Sequence, residues 1–300
     1  MKTFSVNAGI RRAGLLALLL AALGLLPGCA MFKMTYNQAD HIAAWMADDY
    51  FELQSPQKEM FHARFQRFHS WHRREQLPEY IGLLRSARTR AENGLTREDL
   101  QWVNETLDAR FRLLIDQSVG DMAEMLATID EDQLQAMHKR FAKVNRKFAK
   151  EHELGSPPED QRRKRAKDFI DRLEHWTGPV SSEQKQKIAT LQASVPLVDE
   201  LRAADRVRRQ KEFAALLALR KNSAEFTPKL RRWLQHWEQG RSPEYEKKLA
   251  EVKEKNAEFY LAVDKLMTRE QRAHVVQRLQ DYIEDLQSLS QQKTRSAKSD

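Results

Sequence analysis

Met267-Thr268-Arg269-Glu270-Gln271 reads as the opening of an α-helix: an apolar residue, a capping hydroxyl, two variable positions and an amide. A Thr at N-cap accepts from the N3 backbone N–H, and a Gln at N3 reaches back to the N-cap N–H, so two orphan donors are satisfied at once. The same plan recurs at Leu95-Thr96-Arg97-Glu98-Asp99, Ile129-Asp130-Glu131-Asp132-Gln133 and Val180-Ser181-Ser182-Glu183-Gln184. Leu95 with Leu100, and Ile129 with Leu134, stand at N′ and N4, the spacing of a hydrophobic staple. The openings are unevenly spaced, which argues against a regular solenoid.

Between the openings the apolar residues keep a helical period. Tyr36, Ala39, Ala43, Met46 and Tyr50 predict a first amphipathic helix. Ser55-Pro56 reads as N-cap and N1 of a second, which carries Phe61, Phe65, Phe68 and His72 on one stripe. Pro78 opens a third helix that closes near Gly94, and Thr96 starts a long one through Met125. Further segments run about 131–154, 158–177, 182–221, 224–239, 243–266 and 269–290, with Pro196 and Pro228 expected to kink or divide theirs. Turn residues are scarce: ten glycines and nine prolines in 300 residues, four of the glycines and one proline within the first 28. No stretch alternates apolar and polar residues in the manner of a strand. The expected fold is all-α, a multi-helix bundle or irregular helical array without a sheet. Gly155-Ser156-Pro157-Pro158 is the expected break between a 29–155 and a 156–290 subdomain, with a basic, disordered tail over 291–300.

The N-terminus reads as an address. Lys2, Arg11 and Arg12 form a positive region ahead of the apolar run Ala13–Leu26, too short to span a bilayer but of signal-peptide length. It ends in Leu26-Pro27-Gly28-Cys29, with small Gly28 at the cut and Cys29 the single cysteine of the chain. This resembles the lipobox of bacterial lipoproteins, although Pro27 stands where that pattern prefers Ala or Ser. The resemblance implies a 1–28 signal peptide, cleavage after Gly28 and diacylglyceryl and acyl modification of Cys29. Ala30, rather than Asp, follows the cysteine, which by the same resemblance implies an outer-membrane anchor facing the periplasm. The formal net charge of the whole chain is +8. Removing residues 1–28 takes away three positive charges and no negative one, leaving +5. In that compartment nucleic acid is not the expected partner; the membrane, an envelope protein or an anionic envelope component is. With one cysteine there is no intramolecular disulfide.

The densest candidate chemistry lies in Asp40, Asp48 and Asp49 of the first helix and in Trp71-His72-Arg73 of the second. Asp40 and Asp48 share one helical face, and His62, His69 and His72 fall near another. Three His and two Asp could hold zinc, but the histidines join the Phe61–Phe68 core stripe, so a packing network is the expected role and no metal or cofactor is. A short connection at Ser55-Pro56 makes the two helices antiparallel neighbours. Asp40 should then meet His72 or Arg73, with Asp48 and Asp49 nearer His62 and Arg64.

Enzyme signatures are absent: no GxSxG, HExxH, P-loop or dinucleotide fingerprint occurs. The lipobox, Tyr36-Asn37 to Asp48-Asp49-Tyr50, Trp71-His72-Arg73 to Leu77-Pro78, and Trp176-Thr177-Gly178 resemble an uncharacterised family of Gram-negative helical lipoproteins. The helix openings resemble, more weakly, the LTxxQ signature of small periplasmic helical chaperones, although capping alone explains them. The expected function is a non-enzymatic, lipid-anchored envelope protein that binds or scaffolds. The alternatives are a chaperone-like helical protein with an exposed concave apolar surface, and a metal- or carboxylate-dependent envelope enzyme in which Asp40, Asp48 and His72 converge on an open pocket.

Overall fold

A computed structural model describes residues 29–292. The 1–28 signal peptide with Gly28, and residues 293–300 of the tail, lie outside the described residues. The chain is all-helical, with no strand among the described residues. Helices α1 (Cys29–Asn37) and α2 (Ala39–Phe51) take the place of the single first helix expected from the spacing. The chain then reverses at Glu52, in the left-handed region at φ 49°, and enters α3 (Ser55–Trp71). The N-cap is Gln54, not Ser55, because the Gln57 side chain reaches back to the Gln54 N–H at 2.9 Å. Helix α3 runs through a π-helical turn, His72–Gln76, straight into α4 (Leu77–Asn93). Pro78 explains the widened turn: it has no N–H to give, and its ring crowds the carbonyl four residues back, that of Arg74.

Helices α5 (Arg97–Ala127), α6 (Glu131–Glu151), α7 (Pro158–Thr177), α8 (Ser182–Ala193), α9 (Asp199–Leu217), α10 (Ser223–Gln235), α11 (Pro243–Leu266) and α12 (Arg269–Gln291) follow. Pro196 does divide the 182–221 segment, into α8 and α9. Pro228 does not divide α10. A helix-interior proline costs about 3 kcal/mol, but its neighbours Phe226 and Leu230 are both fully buried. Burial of two such side chains contributes about 1.5–3 kcal/mol each and holds α10 together against α5.

Three clusters make the core. One joins Phe32 and Tyr36 of α1 to Leu77 and Ile81 of α4 and Ile283 and Leu289 of α12. A second joins Ile115 and Val119 of α5, Met137 of α6, Leu217 of α9 and Phe226 of α10. The third joins α7, α8 and α11 with Val180, Val195 and Val198 of the connections on either side of α8, around Ile188, Phe259 and Val263. A turn does interrupt the chain at Glu153–Ser156, where Glu153 and Gly155 both take positive φ. Two of the three clusters nevertheless draw residues from both sides of it, and the most extensive helix pairing is α12 along α4.

Two glutamine pairs fasten helix N-termini to one another. Gln57 and Gln133 exchange amide hydrogen bonds at 2.9 and 2.7 Å. Gln184 and Gln271 do the same at 2.8 and 3.1 Å. Each is the N3 residue of its own helix, its Oε1 accepting from the N-cap N–H of Gln54, Asp130, Ser181 or Thr268. Each Nε2 also donates to the carbonyl two residues before the opposite N-cap: Thr128, Glu52, Leu266 and Pro179 respectively. Three of the four helix openings legible in the sequence enter these pairs. The fourth, at Thr96, keeps Asp99 at N3, which accepts from the Thr96 N–H at 2.9 Å and pairs with Arg90 instead.

Candidate functional site

The π-turn carries the polar centre of the molecule. Of its five residues His72, Arg73 and Gln76 are buried. Tyr36 on α1 meets His72 there, its hydroxyl 2.9 Å from His72 Nδ1. The two side chains belong to residues 3% and 2% exposed, so this contact is sealed from solvent. His69, one turn earlier on α3, lies with its ring centroid 4.6 Å from that of Tyr36.

Burial governs the protonation of this group. It lowers His72 to about 3, with the charges of His69 and Arg73 adding to the effect. Burial likewise lowers His69 to about 4, with Arg73 adding and Asp40 opposing. The same desolvation raises the Tyr36 phenol well above its ordinary value, against the lowering charge of Arg73. At neutral pH the rings are therefore uncharged and Arg73 is the one fixed charge among them. The buried Nε2 atoms of His69 and His72 and the Tyr80 hydroxyl have no hydrogen-bond partner among the described residues.

Arg73 fastens three elements. Its guanidinium donates to the Leu289 carbonyl at 3.2 Å, near the C-terminus of α12, and to the side chain of Asn37 at the end of α1 at 2.7 Å. It also reaches Gln292 Oε1 at 3.3 Å, so the first two residues of the expected tail, Gln291 and Gln292, are part of the ordered body. A cation at a helix C-terminus meets the partial negative charge of the last carbonyls. The Tyr36 ring, 5.0 Å from the guanidinium carbon, covers it from one side.

The expected pairing of Asp40 with His72 or Arg73 does not form; Tyr36 and Asn37 of α1 take those places. Helix starts already at Cys29, so the end of α1, about a turn ahead of Asp40, faces the π-turn. Asp40 lies beside His41 at 3.9 Å and near enough to His69 to act on its charge. Asp48 pairs with Lys58 at 3.0 Å and Asp49 with Arg140, while Arg64 binds Asp121 and Glu124 at 2.9 and 2.6 Å. His62 stacks edge-on to His41, and Trp71 packs on Phe68 at the rim of the first core. The six side chains proposed as one network thus fall into a buried centre around His72 and Arg73 and separate ion pairs along α2. With His72 sealed, Asp40, Asp48 and His72 share no open pocket. Among the described residues no three His, Cys, Asp or Glu side chains come together as a metal site.

Sequence reading missed a second polar group, between α7, α8, α9 and α11. A recess of about 50 Å³ is lined there by Arg165, Arg172, Arg202, Asn256 and Tyr260. Arg165 donates to the carbonyls of Gln192, Val195 and Pro196 at 2.9, 2.6 and 3.0 Å, clamping the bend that Pro196 makes. Burial lowers Arg165 to about 10, against the raising charge of Asp199. Burial also works against ionisation of Asp199, but the His152 hydrogen bond and the charge of Arg202 outweigh it and hold that carboxyl below its usual range. The one signal in the sequence was the basic run Arg162-Arg163-Lys164-Arg165.

On the outside, α1 and α2 expose Met31, Met34, Ile42 and Trp45. The sequence profile of a family of unknown function, DUF6279, matches residues 49–246, about two thirds of the chain. No curated protein and no solved structure shows significant similarity to the chain.

Proposed function

Since the chain belongs to the DUF6279 family, whose function is unknown, we propose a role argued from its own residues: a lipid-anchored, non-enzymatic helical protein that binds or scaffolds at the periplasmic face of the outer membrane. The observation that carries this reading is the lipobox Leu26-Pro27-Gly28-Cys29, whose cysteine is the single one of the chain and the first residue of α1. No described helix is long and apolar enough to cross a membrane, so a covalent lipid is the attachment this reading supplies. The burial of His72 and Arg73 supports the non-enzymatic part. Their hydrogen bonds join α1, the π-turn and α12, and leave no open face to a substrate.

Metabolic palmitate labelling of the wild type and of Cys29→Ala tests the anchor. Label on the wild type and none on the variant is the expected result; equal labelling overturns the reading. The chaperone-like alternative calls for an exposed concave apolar surface. Among the described residues, the exposed large apolar ones Val103, Leu113 and Val207 are single positions on α5 and α9, and the remaining four lie on α1 and α2.

A further inference from the structure

We propose that the outward face of α1 and α2, carrying Met31, Met34, Ile42 and Trp45, lies in the headgroup layer of the bilayer. It is a second, non-covalent contact that lays the helical body flat beside its anchor. The inference rests on the reading of Cys29 as the lipid-bearing residue.

The face is continuous. Residues 31, 34, 38, 42 and 45 follow one another at steps of three and four, which is a single side of a helix. The break at Gln38 does not interrupt it: Gln38 N–H donates to the Met34 carbonyl and Ile42 N–H to the Gln38 carbonyl, each at 3.1 Å. Trp45 is 66% exposed, Met34 60%, Met31 45% and Ile42 40%. Helix α2 reads ADHIAAWMADDYF, apolar or aromatic at nine of thirteen positions, yet it is the one described helix that buries none of its residues fully. The other side of α1 is committed, with Phe32 and Tyr36 buried in the first core against α12. A flat helix would thus have the body above it and the apolar stripe below.

Length decides between a flat and an upright arrangement. At 1.5 Å per residue, Met31 lies about 3 Å along the helix from Cys29 and Trp45 about 24 Å. The polar layer on one side of a bilayer is only about 5–8 Å thick. An upright helix would carry Ile42 and Trp45 far into water, whereas a flat one keeps all four side chains at the acyl boundary, where Trp is favoured. A second copy of the chain fits the face less well. Four side chains offer a few hundred Å², and a stable protein interface takes roughly 800 Å² from each partner.

The single cysteine makes the test clean. In the mature lipoprotein Cys29 is acylated, so Trp45→Cys, Met34→Cys and, as a control on exposed α5 surface, Glu105→Cys each present one free thiol. Each protein is labelled with an environment-sensitive fluorophore and reconstituted into vesicles of phosphatidylethanolamine and phosphatidylglycerol containing a nitroxide-bearing lipid. Quenching by that lipid several-fold stronger at positions 34 and 45 than at 105 is expected. Equal quenching at all three overturns the proposal. So does a face shielded from aqueous iodide without lipid quenching, the signature of a protein partner or second copy. Labelling of the wild type would show Cys29 to be unacylated. That failure strikes the anchor itself and is read separately from the position of the stripe.

Discussion

The two glutamine pairs are the same device built at two depths. Gln57 and Gln133 are both buried, 6% and 4% exposed, whereas in the second pair only Gln271 is, at 7%, and Gln184 is half-buried. Their amide–amide hydrogen bonds match in number and nearly in length, and Gln57 Nε2 adds one to the Thr128 hydroxyl at 3.2 Å. Water sets the difference. An amide that loses its partner in the interior keeps the full penalty of desolvation, while one near the surface is rehydrated. Two regions with equivalent amide–amide bonding should therefore contribute unequally to stability.

Breaking the deeper pair gives the largest effect. Gln133→Ala removes the partner of Gln57 and the donor to Glu52, and chemical denaturation should show a loss of about 3 kcal/mol. A loss below that of the shallower pair would refute the argument from depth. The next contrast sets both pairs, which do not titrate, against the histidines under the π-turn, which do. His72 is held at about 3 in the folded protein against an ordinary 6.5. The unfolded chain takes up this proton first, so stability falls as the pH drops below about 6.5 and levels off below about 3. At pH 5 the loss at His72 is about 2 kcal/mol. Thermal melts between pH 7 and pH 5 should record it on top of a similar loss at His69, and His72→Phe should make that part of the profile shallower.

The shallower pair comes third. Gln184→Ala should lower stability by about 1 kcal/mol, and a double-mutant cycle with Gln271 should return a smaller coupling than the Gln57–Gln133 cycle. Equal couplings would mean that hydrogen-bond geometry, rather than water, sets the scale. The smallest effect belongs to the outer face: Trp45→Ser should change stability in detergent by less than about 0.5 kcal/mol, because no partner is lost. A larger drop would place Trp45 in the body rather than at its surface.

Much of the helical plan was legible because its signals are local. The openings at Ile129, Val180 and Met267 form the capping boxes their residue types foretell. The opening at Leu53-Gln54-Ser55-Pro56-Gln57 was misread by one residue, since Ser-Pro is a stronger local signal than a glutamine N-cap. What settles the register there is Gln133, supplied from the start of α6. Asp40 meets His72 only if the first helix starts at Tyr36, where its apolar period becomes legible. Helix starts already at Cys29, so Tyr36 and Asn37, about a turn earlier, take the places beside His72 and Arg73, and a correct pairing of helices gives the wrong pairing of residues.

Capping, amphipathic period and the scarcity of turn residues act over a few residues, and the sequence by itself determined from them that the body is helical and where most helices begin. Which side chain meets which was a matter for the tertiary structure alone. Arg73 finds the carbonyl of Leu289 and Gln184 finds Gln271 only because packing of the three apolar clusters brings distant helix ends within 3 Å or so of each other. A short-range polar bond has no signature along the chain when its partner lies on another helix. Only the burial that removes competing water gives that partner its energetic weight.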